Sequence, residues 1–293
     1  MGYVGTQTIH QFADVDLNAS LPGTGQAGQR FNTPTYGRTA QTLFWQGFLN
    51  ANYHSLQTSI NRQFSNGLMV KGAYTLSKAI NYTDDDGWAS LAWNDPSILR
   101  RNRAAAGYNT PHIFQLAYVY ELPLGKGKPF AQSGGAAKIL GGWQTSGTFS
   151  AISGHPGWGL TNADITASGA SLNAVGQRQT PDQVGPIKKL GGIGPGNPFY
   201  DPSSFAPVTR VGYGNVGRNP LLGPGSVNFD FSLFRTIGIT ERLALQFRAD
   251  ASNLFNTPHF KDPNGDITSA TFMDITGAKD DERQFRFGLR LAF

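Results

Sequence analysis

The chain of 293 residues contains no cysteine, which excludes disulfide scaffolds and thiolate metal sites. It also lacks any run approaching the roughly 18 apolar residues that a membrane-spanning helix requires. A membrane location stays open, because the strands of a membrane barrel alternate in polarity and their hydropathy averages out. The net charge of +5 is small for this length, and no basic block or basic helix occurs. Nucleic-acid binding is therefore not expected.

The start of the chain, Met1–Gly5, has neither a basic nor an apolar segment, so no signal peptide is recognisable. An exported protein of this kind is a mature chain or a fragment, and we expect a fragment. The 37 glycines, 20 phenylalanines and 10 tyrosines indicate aromatic-rich strands joined by glycine-rich loops.

The last eleven residues show the clearest pattern in the chain. Large apolar side chains occupy every second position, and polar or small side chains lie between them. Period two predicts a strand with one apolar and one polar face, and an outer-membrane barrel needs such a strand to close its wall. The apolar positions are Phe285, Phe287, Leu289, Leu291 and Phe293.

Alternation elsewhere predicts seven further strands, and the connections between them alternate in length. Short turns are expected near Asn66 and Gly238, and a medium connection is expected at 123–142. Short turns on one side and long loops on the other are typical of outer-membrane barrels, whereas the loops of a soluble sandwich scatter to both ends. The predicted strands are 3–11, 53–64, 68–79, 112–122, 143–153, 227–235 and 243–254, and the long connections are 12–45, 80–110, 154–226 and 255–282.

Periodicity alone does not decide whether the apolar face points to a soluble core or to lipid. The alternation of connection lengths and the terminal Phe293 favour lipid. Aromatic residues near strand ends also favour lipid, because they are typical of interfacial girdles, although aromatic residues are common in strands generally. These girdle positions are Tyr53, Phe64, Tyr74, Tyr120 and Trp143.

Several stretches resemble the C-terminal barrel of the Oar-like TonB-dependent receptors of bacterial outer membranes. Shorter matches occur at 3–6 and 21–30, and together the stretches follow the family order over nearly the whole chain. The main stretches are NYHSLQTSINRQFSNGLMVKGAYTLSKAI at 52–80, YELPLGKGKPF at 120–130, GGWQTSGTFSAISGHP at 141–156, GNVGRNPLLGPGSVNFDFSLFR at 214–235 and ITERLALQFRADASNLFNTPHF at 239–260.

The resemblance implies an all-β fold. Residues 1–293 would form about eight antiparallel transmembrane strands of a barrel of about 22 strands, with long extracellular loops. Such receptors hold a plug domain in the lumen and take up scarce nutrients with energy delivered by TonB. The expected function is to form the wall and the ligand-facing loops of an importer, in the outer membrane of a Gram-negative bacterium. The resemblance leaves the substrate class open, with adhesion and protein export as further possible roles.

The chain shows no plug, TonB box or N-terminal domain. The expected partners are therefore outer-membrane lipid, the missing N-terminal barrel strands and plug of the parent chain, the barrel-assembly machinery, and the TonB complex only through the absent plug. The alternating apolar residues that end at Phe293 resemble the signal that the assembly machinery reads.

Four charged residues lie on the polar faces of the last two strands, where a barrel would point them into its lumen. An Asp250–arginine pair across the ladder would fix the register of the wall. Contact with the plug or a passing substrate is the alternative role. The four residues are Arg248, Asp250, Arg286 and Arg290.

Other motifs are weaker. Gly23–Gly28 matches GxGxxG but lacks the preceding strand and following helix of a dinucleotide site. The acidic segments Asp84–Asp86 and Asp262–Asp266 are interpreted as solvated loop acids, since a calcium loop needs more ligands. The five histidines show no metal spacing, and no nucleophile elbow or carboxylate pair is present. We expect no enzyme activity, cofactor or metal.

Two alternatives remain open from the sequence. One is a complete eight-stranded outer-membrane barrel acting as an adhesin or anchor. The other is a soluble β-sandwich that binds carbohydrate through its loops.

Overall fold

The computed structural model describes residues 1–20, 30–84, 91–162 and 178–293. Eight long strands form the wall of the molecule. They are β1 (Gly2–Asp16), β2 (Leu43–Ser65), β3 (Leu68–Asn81), β5 (His112–Glu121), β6 (Trp143–Ile152), β9 (Ser226–Gly238), β10 (Ala244–Ser252) and β11 (Gln284–Ala292).

The remaining elements lie in the connections between the wall strands. Among the described residues, no helix is both long enough and apolar enough to cross a membrane. These smaller elements are strands β4 (Ala104–Ala105), β7 (Asp182–Gln183) and β8 (Phe205–Ala206), helices α1 (Thr33–Tyr36) and α2 (Gly134–Leu140), and two 3₁₀-helices, Pro96–Asn102 and Pro202–Ser204.

The eight wall strands pair antiparallel in chain order, and β4 adds a short edge to β3. This confirms the predicted all-β antiparallel architecture. The sheet begins at β1 and ends at β11, and these two strands do not pair with each other. The eight-stranded closed barrel would require that pairing. A soluble sandwich would require a second large sheet, but in the described part of the chain the other sheet is only the β7–β8 ribbon.

The connections sort by length to the two ends of the sheet, as predicted. One end, called the turn end, carries 66–67, 122–142 and 239–243. Asn66 and Gly67 form the tightest turn, with φ of 51° and 77°, which is the left-handed conformation that Asn-Gly supplies readily. The other end, called the loop end, carries four long connections: L1 (17–42), L2 (82–111), L3 (153–225) and L4 (253–283).

The register aligns the apolar residues of all eight strands on one face. Residues directly opposite each other in an antiparallel ladder share a face. One such row passes from Leu116 through Phe149 to Phe229, and another passes from Leu233 through Ala249 to Phe287. Phe287 and Leu289 are 74% and 72% exposed. This surface, called the apolar face, has no protein layer over it among the residues described.

Tyr53 does not belong to the girdle that the sequence predicted. It lies opposite Thr6 and Ala79, one position out of phase with His54 and Leu56, so it belongs to the polar face. Because side chains alternate with period two, a shift of one position places a residue on the other side of the sheet. Tyr74, Tyr120 and Trp143 keep the apolar parity, and Phe64 lies in the register shift between Arg62 and Ser65.

Strands β1 and β2 extend further than predicted. The predicted loop 12–45 shortens to 17–42 because Phe12–Asp16 pairs with Leu43–Gly47. β2 has 23 residues, about 76 Å at 3.3 Å per residue, whereas a tilted strand crosses a bilayer in about 9–11 residues. The β1–β2 ribbon therefore stands well beyond the end of β3.

Candidate functional site

The long connections pack into a folded body at the loop end, here called the loop assembly. Its main apolar core is formed by L3 and L4, which contribute side chains that are at most 7% exposed. Partly buried Trp158, Phe260, Ile267 and Phe272 surround this core. The buried members are Leu160, Phe199, Tyr200, Phe205, Val216, Leu221, Met273 and Ile275.

A second, smaller cluster joins L2 to the projecting β1–β2 ribbon. Leu91 from L2 packs against Ala13, Val15 and Leu49 of the ribbon. One face of the ribbon is thus covered by L2, which explains why the strands continue beyond the rest of the sheet. Because the sheet is a single layer, each apolar core needs residues of the long connections: L3 and L4 form the first, and L2 forms the second with the ribbon.

A buried ion pair anchors L1 at the far end of the ribbon, where β1 ends. Asp16 is fully buried and accepts a 2.8 Å hydrogen bond from the Arg30 guanidinium. Its other carboxylate oxygen accepts the backbone N–H groups of Asn18 and Thr42 at 2.9 and 3.0 Å. The backbone N–H of Asp16 donates to the Asn94 side chain at 2.7 Å, so one residue connects L1, L2 and β1.

Arg218 joins L3 to L2 from a buried position. Its Nη1 donates to Asp84 at 2.8 Å, its Nε donates to the carbonyl of Asn102 at 3.0 Å, and its Nη2 donates to the carbonyl of Asn81 at 2.9 Å. Burial lowers the pKa of Arg218, and the Asp84 carboxylate opposes that shift. The guanidinium remains charged, because the pKa of an arginine lies far above neutral pH.

Arg101 forms a second link between these connections; it belongs to L2 and contacts L3. Its guanidinium carbon lies 4.3 Å from the centre of the Trp93 ring, within cation–π range. Its Nη2 donates to Thr180 Oγ1 at 3.0 Å and to the carbonyl of Val216 at 2.8 Å. Beside it, burial raises the pKa of Tyr213 to about 12, so this phenol stays neutral at physiological pH.

His259 ties L4 to the first residues of β9. Its Nε2 lies 2.9 Å from the carbonyl oxygen of Val227, and its Nδ1 lies 2.5 Å from a carboxylate oxygen of Asp281. The Val227 carbonyl, and then the Asp281 carboxylate, raise the pKa of the imidazole above its ordinary value. Both partners are acceptors, so the protonated ring, which donates from both nitrogens, fits the site best.

The polar face of the sheet carries a chain of side-chain hydrogen bonds. Asp230 accepts from the backbone of Asn253 at 2.9 Å and from Asn228 at 3.0 Å. Further along, Asp250 accepts from Ser232 of β9 at 2.5 Å and from Arg248 at 2.8 Å. These contacts link β9, β10 and the start of L4 on one face.

The four charged residues singled out in the sequence all lie on this polar face. Arg286 stands directly opposite Asp250, and Arg290 stands opposite Gln246. The arginine that hydrogen bonds Asp250 is Arg248 of the same strand, whereas the predicted pairing was across the ladder.

The C-terminal apolar positions occupy the free edge strand β11. Phe285, Phe287, Leu289 and Leu291 share the apolar face and are all more than half exposed. Phe293 follows the last paired residue and is 98% exposed.

The weaker sequence motifs acquire structural roles or fall outside the described residues. Gly23–Gly28 and residues 85–86 lie outside them. Asp84 was interpreted as a solvated acid, but it pairs with Arg218. In the second segment, Asp266 accepts hydrogen bonds from Thr268 within a turn. No group of three or more metal-ligating side chains is found in the described part of the chain.

Sequence reasoning missed Arg101, Arg218 and His259, which hold the loop assembly together. A usable signal was Trp93 within a connection otherwise rich in Asp, Asn and Arg. A large aromatic side chain in such a segment needs apolar or cationic neighbours, and here it has Arg101.

The comparison with protein families agrees with this architecture. A family model described as "Outer membrane beta barrel domain" matches residues 1–286. No curated protein matches the chain. Among solved structures, the outer membrane transporter YddB from Escherichia coli is similar, with 10% identity and a TM-score of 0.47, over 99% of this chain and 29% of that one. The chain thus spans less than a third of that transporter's length.

Replacing Arg218 with methionine is expected to loosen the loop assembly. Methionine removes the guanidinium donor from the carbonyls of Asn81 and Asn102, and a buried acceptor left without a donor costs about 1–3 kcal/mol. We expect faster amide hydrogen exchange in L2 and L3, with the strands β5 and β6 unchanged. Arg210→Met is the matched control, since Arg210 pairs with Asp182 on the surface. Equal exchange in the two variants would contradict the anchoring role of Arg218.

The His259 contact is expected to weaken as pH rises. A pKa raised in the folded state adds stability that is complete below the unfolded value of 6.5 and is lost as pH rises through the folded value. Protection factors of L4 amides, corrected for intrinsic exchange, should fall as pH rises above 6.5. His259→Gln should abolish this fall, and His155→Gln should retain it. A pH-independent protection in the unmodified chain would refute the assignment.

Proposed function

The chain belongs to the outer membrane β-barrel domain family and is located in the outer membrane, and we propose that it forms part of the wall of a TonB-dependent importer. The observation that carries this proposal is the combination of an uncovered apolar face with four long connections folded at one end of the sheet. Lipid would cover the apolar face, and the loop assembly would lie outside the cell. The sequence resemblance to Oar-like receptors supports the TonB-dependent assignment.

The two free edges define the first set of proposed partners. β1 and β11 each leave a row of backbone groups without a neighbouring strand, and each unpaired group costs several kcal/mol in hydrocarbon. We therefore assign these edges to further barrel strands of a longer protein, including N-terminal strands that would close onto β11. A single sheet of eight strands then becomes about a third of a barrel of about 22 strands.

The polar face and the loop assembly would form the route for the ligand. Asp230, Asp250, Arg286 and Arg290 would point into the lumen, towards a plug domain carried elsewhere in the protein. The TonB complex would act only through that plug. The folded loops L2–L4 would supply a ligand-facing surface of fixed shape. This role is binding and passage, and we assign no catalytic step, metal or cofactor to the chain.

β11 would also take part in assembly of the barrel in the outer membrane. Its apolar side chains, from Phe285 to Leu291, are exposed along one face of a free edge, and Phe293 follows. Such a strand offers both a backbone edge and a patterned surface to the barrel-assembly machinery.

The proposed sidedness can be tested with single cysteines, because the chain has none of its own. Lys279→Cys places a thiol in L4, and Lys126→Cys places one in a connection at the turn end; both positions are exposed. A membrane-impermeant maleimide should label the first on intact cells and the second only after the outer membrane is opened. Labelling in the reverse pattern would overturn the orientation.

The importer role predicts binding to TonB. The purified periplasmic domain of TonB should bind the full protein that contains this chain, as measured by surface plasmon resonance. A separately expressed piece limited to residues 1–293 should not bind, since contact is assigned to the plug. Failure of the full protein to bind would leave the barrel assignment intact and remove the TonB-dependent one.

A further inference from the structure

We propose that the apolar face carries, at its loop end, a binding site for the phosphate groups of outer-leaflet lipid. The site is formed over β1, β2, β3 and β5 by His54, Lys78 and His112. This inference rests on the proposed function, because the loop end must face outward if the bound lipid is to come from the outer leaflet.

The register brings these side chains together. His54 of β2 lies directly between Gly5 of β1 and Lys78 of β3. One row nearer the turn end, Leu76 of β3 lies opposite His112. Directly opposed residues have Cβ atoms about 5 Å apart, so the cationic and imidazole groups occupy a patch about three strands wide. His54, Lys78 and His112 are all exposed.

Two tyrosine–histidine pairs hold the imidazoles in the same manner. Tyr3 Oη lies 2.5 Å from His54 Nδ1, with the rings stacked 6.0 Å apart. Tyr74 Oη lies 2.8 Å from His112 Nδ1, with the rings 6.2 Å apart. When the phenol donates to Nδ1, the proton of a neutral imidazole sits on Nε2, which can then donate to an anion. Each pair thus presents a positioned donor at the surface.

The height of the patch matches the headgroup region. His54 and Arg62 share the apolar parity of β2 and are eight residues apart, which is about 26 Å along a strand. The apolar band of an outer-membrane barrel is about 25 Å tall. Strand tilt of about 40° shortens this span to about 20 Å, so His54 and Lys78 lie within a few Å of one boundary of the hydrocarbon and Arg62 within a few Å of the other. Lipid phosphates lie at that boundary.

The charge of the patch is of one sign. Arg103 reaches over β3 and lies 3.4 Å from the side chain of Asn52, one row beyond His54. The three rows that contain Asn52, His54 and Leu56 include no aspartate or glutamate. Lysine and arginine beside oriented imidazoles complement a phosphate, and basic groups at a membrane boundary recognise charged headgroups.

The surface below the patch decides between a lipid and a soluble anion. Ile60, Leu116 and Phe149 continue the same face towards the turn end without a covering layer. A free phosphate would leave that surface uncovered, whereas an acyl lipid with a phosphorylated headgroup covers both parts. We therefore assign the site to an acyl lipid of the outer leaflet that carries a phosphorylated headgroup, and lipid A is the probe with that chemistry.

The test uses the full protein that contains this chain, purified in detergent and analysed by native mass spectrometry. The probes are lipid A, enzymatically dephosphorylated lipid A, and phosphatidylcholine. We expect unmodified protein to retain lipid A about tenfold more strongly than the dephosphorylated form. The combined variant His54→Gln, Lys78→Gln and His112→Gln should lose that preference, and Lys71→Gln on the polar face of β3 should keep it.

Two results would overturn the inference. One is an unchanged preference in the combined variant, and the other is an equal loss with Lys71→Gln, which would indicate non-specific attraction. A milder variant, Tyr3→Phe with Tyr74→Phe, keeps the charge and shape and should reduce the preference partially; an unchanged preference would refute the positioning by tyrosine. Competition by millimolar inorganic phosphate would refute the assignment to lipid.

The lipid measurement tests the lipid site, and the cysteine labelling tests the orientation, so the two results can be told apart. Normal labelling of Lys279→Cys with no phosphate preference would reject the lipid site and keep the proposed orientation. Reversed labelling would reject the orientation, whatever the lipid preference.

Discussion

The structure depends on one constraint: in hydrocarbon, every backbone N–H and C=O of the wall must find a partner on a neighbouring strand. Pairing of strands in chain order satisfies this constraint for the interior strands. It also lets β2–β3 and β9–β10 connect through short turns. Once that pairing is fixed, the register is also fixed, because a slip of one residue would move Phe287 and Leu289 to the polar side. The uncovered apolar face and the polar network of Asp230 and Asp250 follow from this single choice of pairing.

A wall of one layer cannot bury a core between sheets, so the protein builds its cores in the long connections. L3 and L4 bury Met273 and Ile275 almost completely, and L2 covers one side of the projecting ribbon. Arginine side chains then join these pieces, because Arg101 and Arg218 each donate to backbone carbonyls in another part of the chain. This accounts for folded loops of considerable length without regular secondary structure.

The number, order and polarity of the wall strands could be predicted from sequence, because period-two alternation is a local property and the turn at Asn66–Gly67 has a local signature. The extent of β1 and β2 could not, since the segment Leu43–Leu49 has apolar residues at both parities and is held by L2. The roles of Arg218 and His259 were also beyond prediction. Their partners, such as Asn81 and Val227, are distant in sequence, and only the sheet brings them close. Tyr53 was misplaced by counting aromatic residues at strand ends without following their parity.

Arg101 and Arg218 each lie far in sequence from the carbonyl groups to which they donate, and this separation affects folding kinetics. Arg101 reaches Val216 across 115 residues, and Arg218 reaches Asn81 across 137. Closing loops of that length costs chain entropy that is recovered only when the contacts form. The intervening strands shorten the effective loops once they have paired, so we expect the wall to form first and the loop assembly to consolidate late. A newly inserted chain would then pass through a stage in which its membrane portion is complete while its exterior portion is still searching for its native contacts.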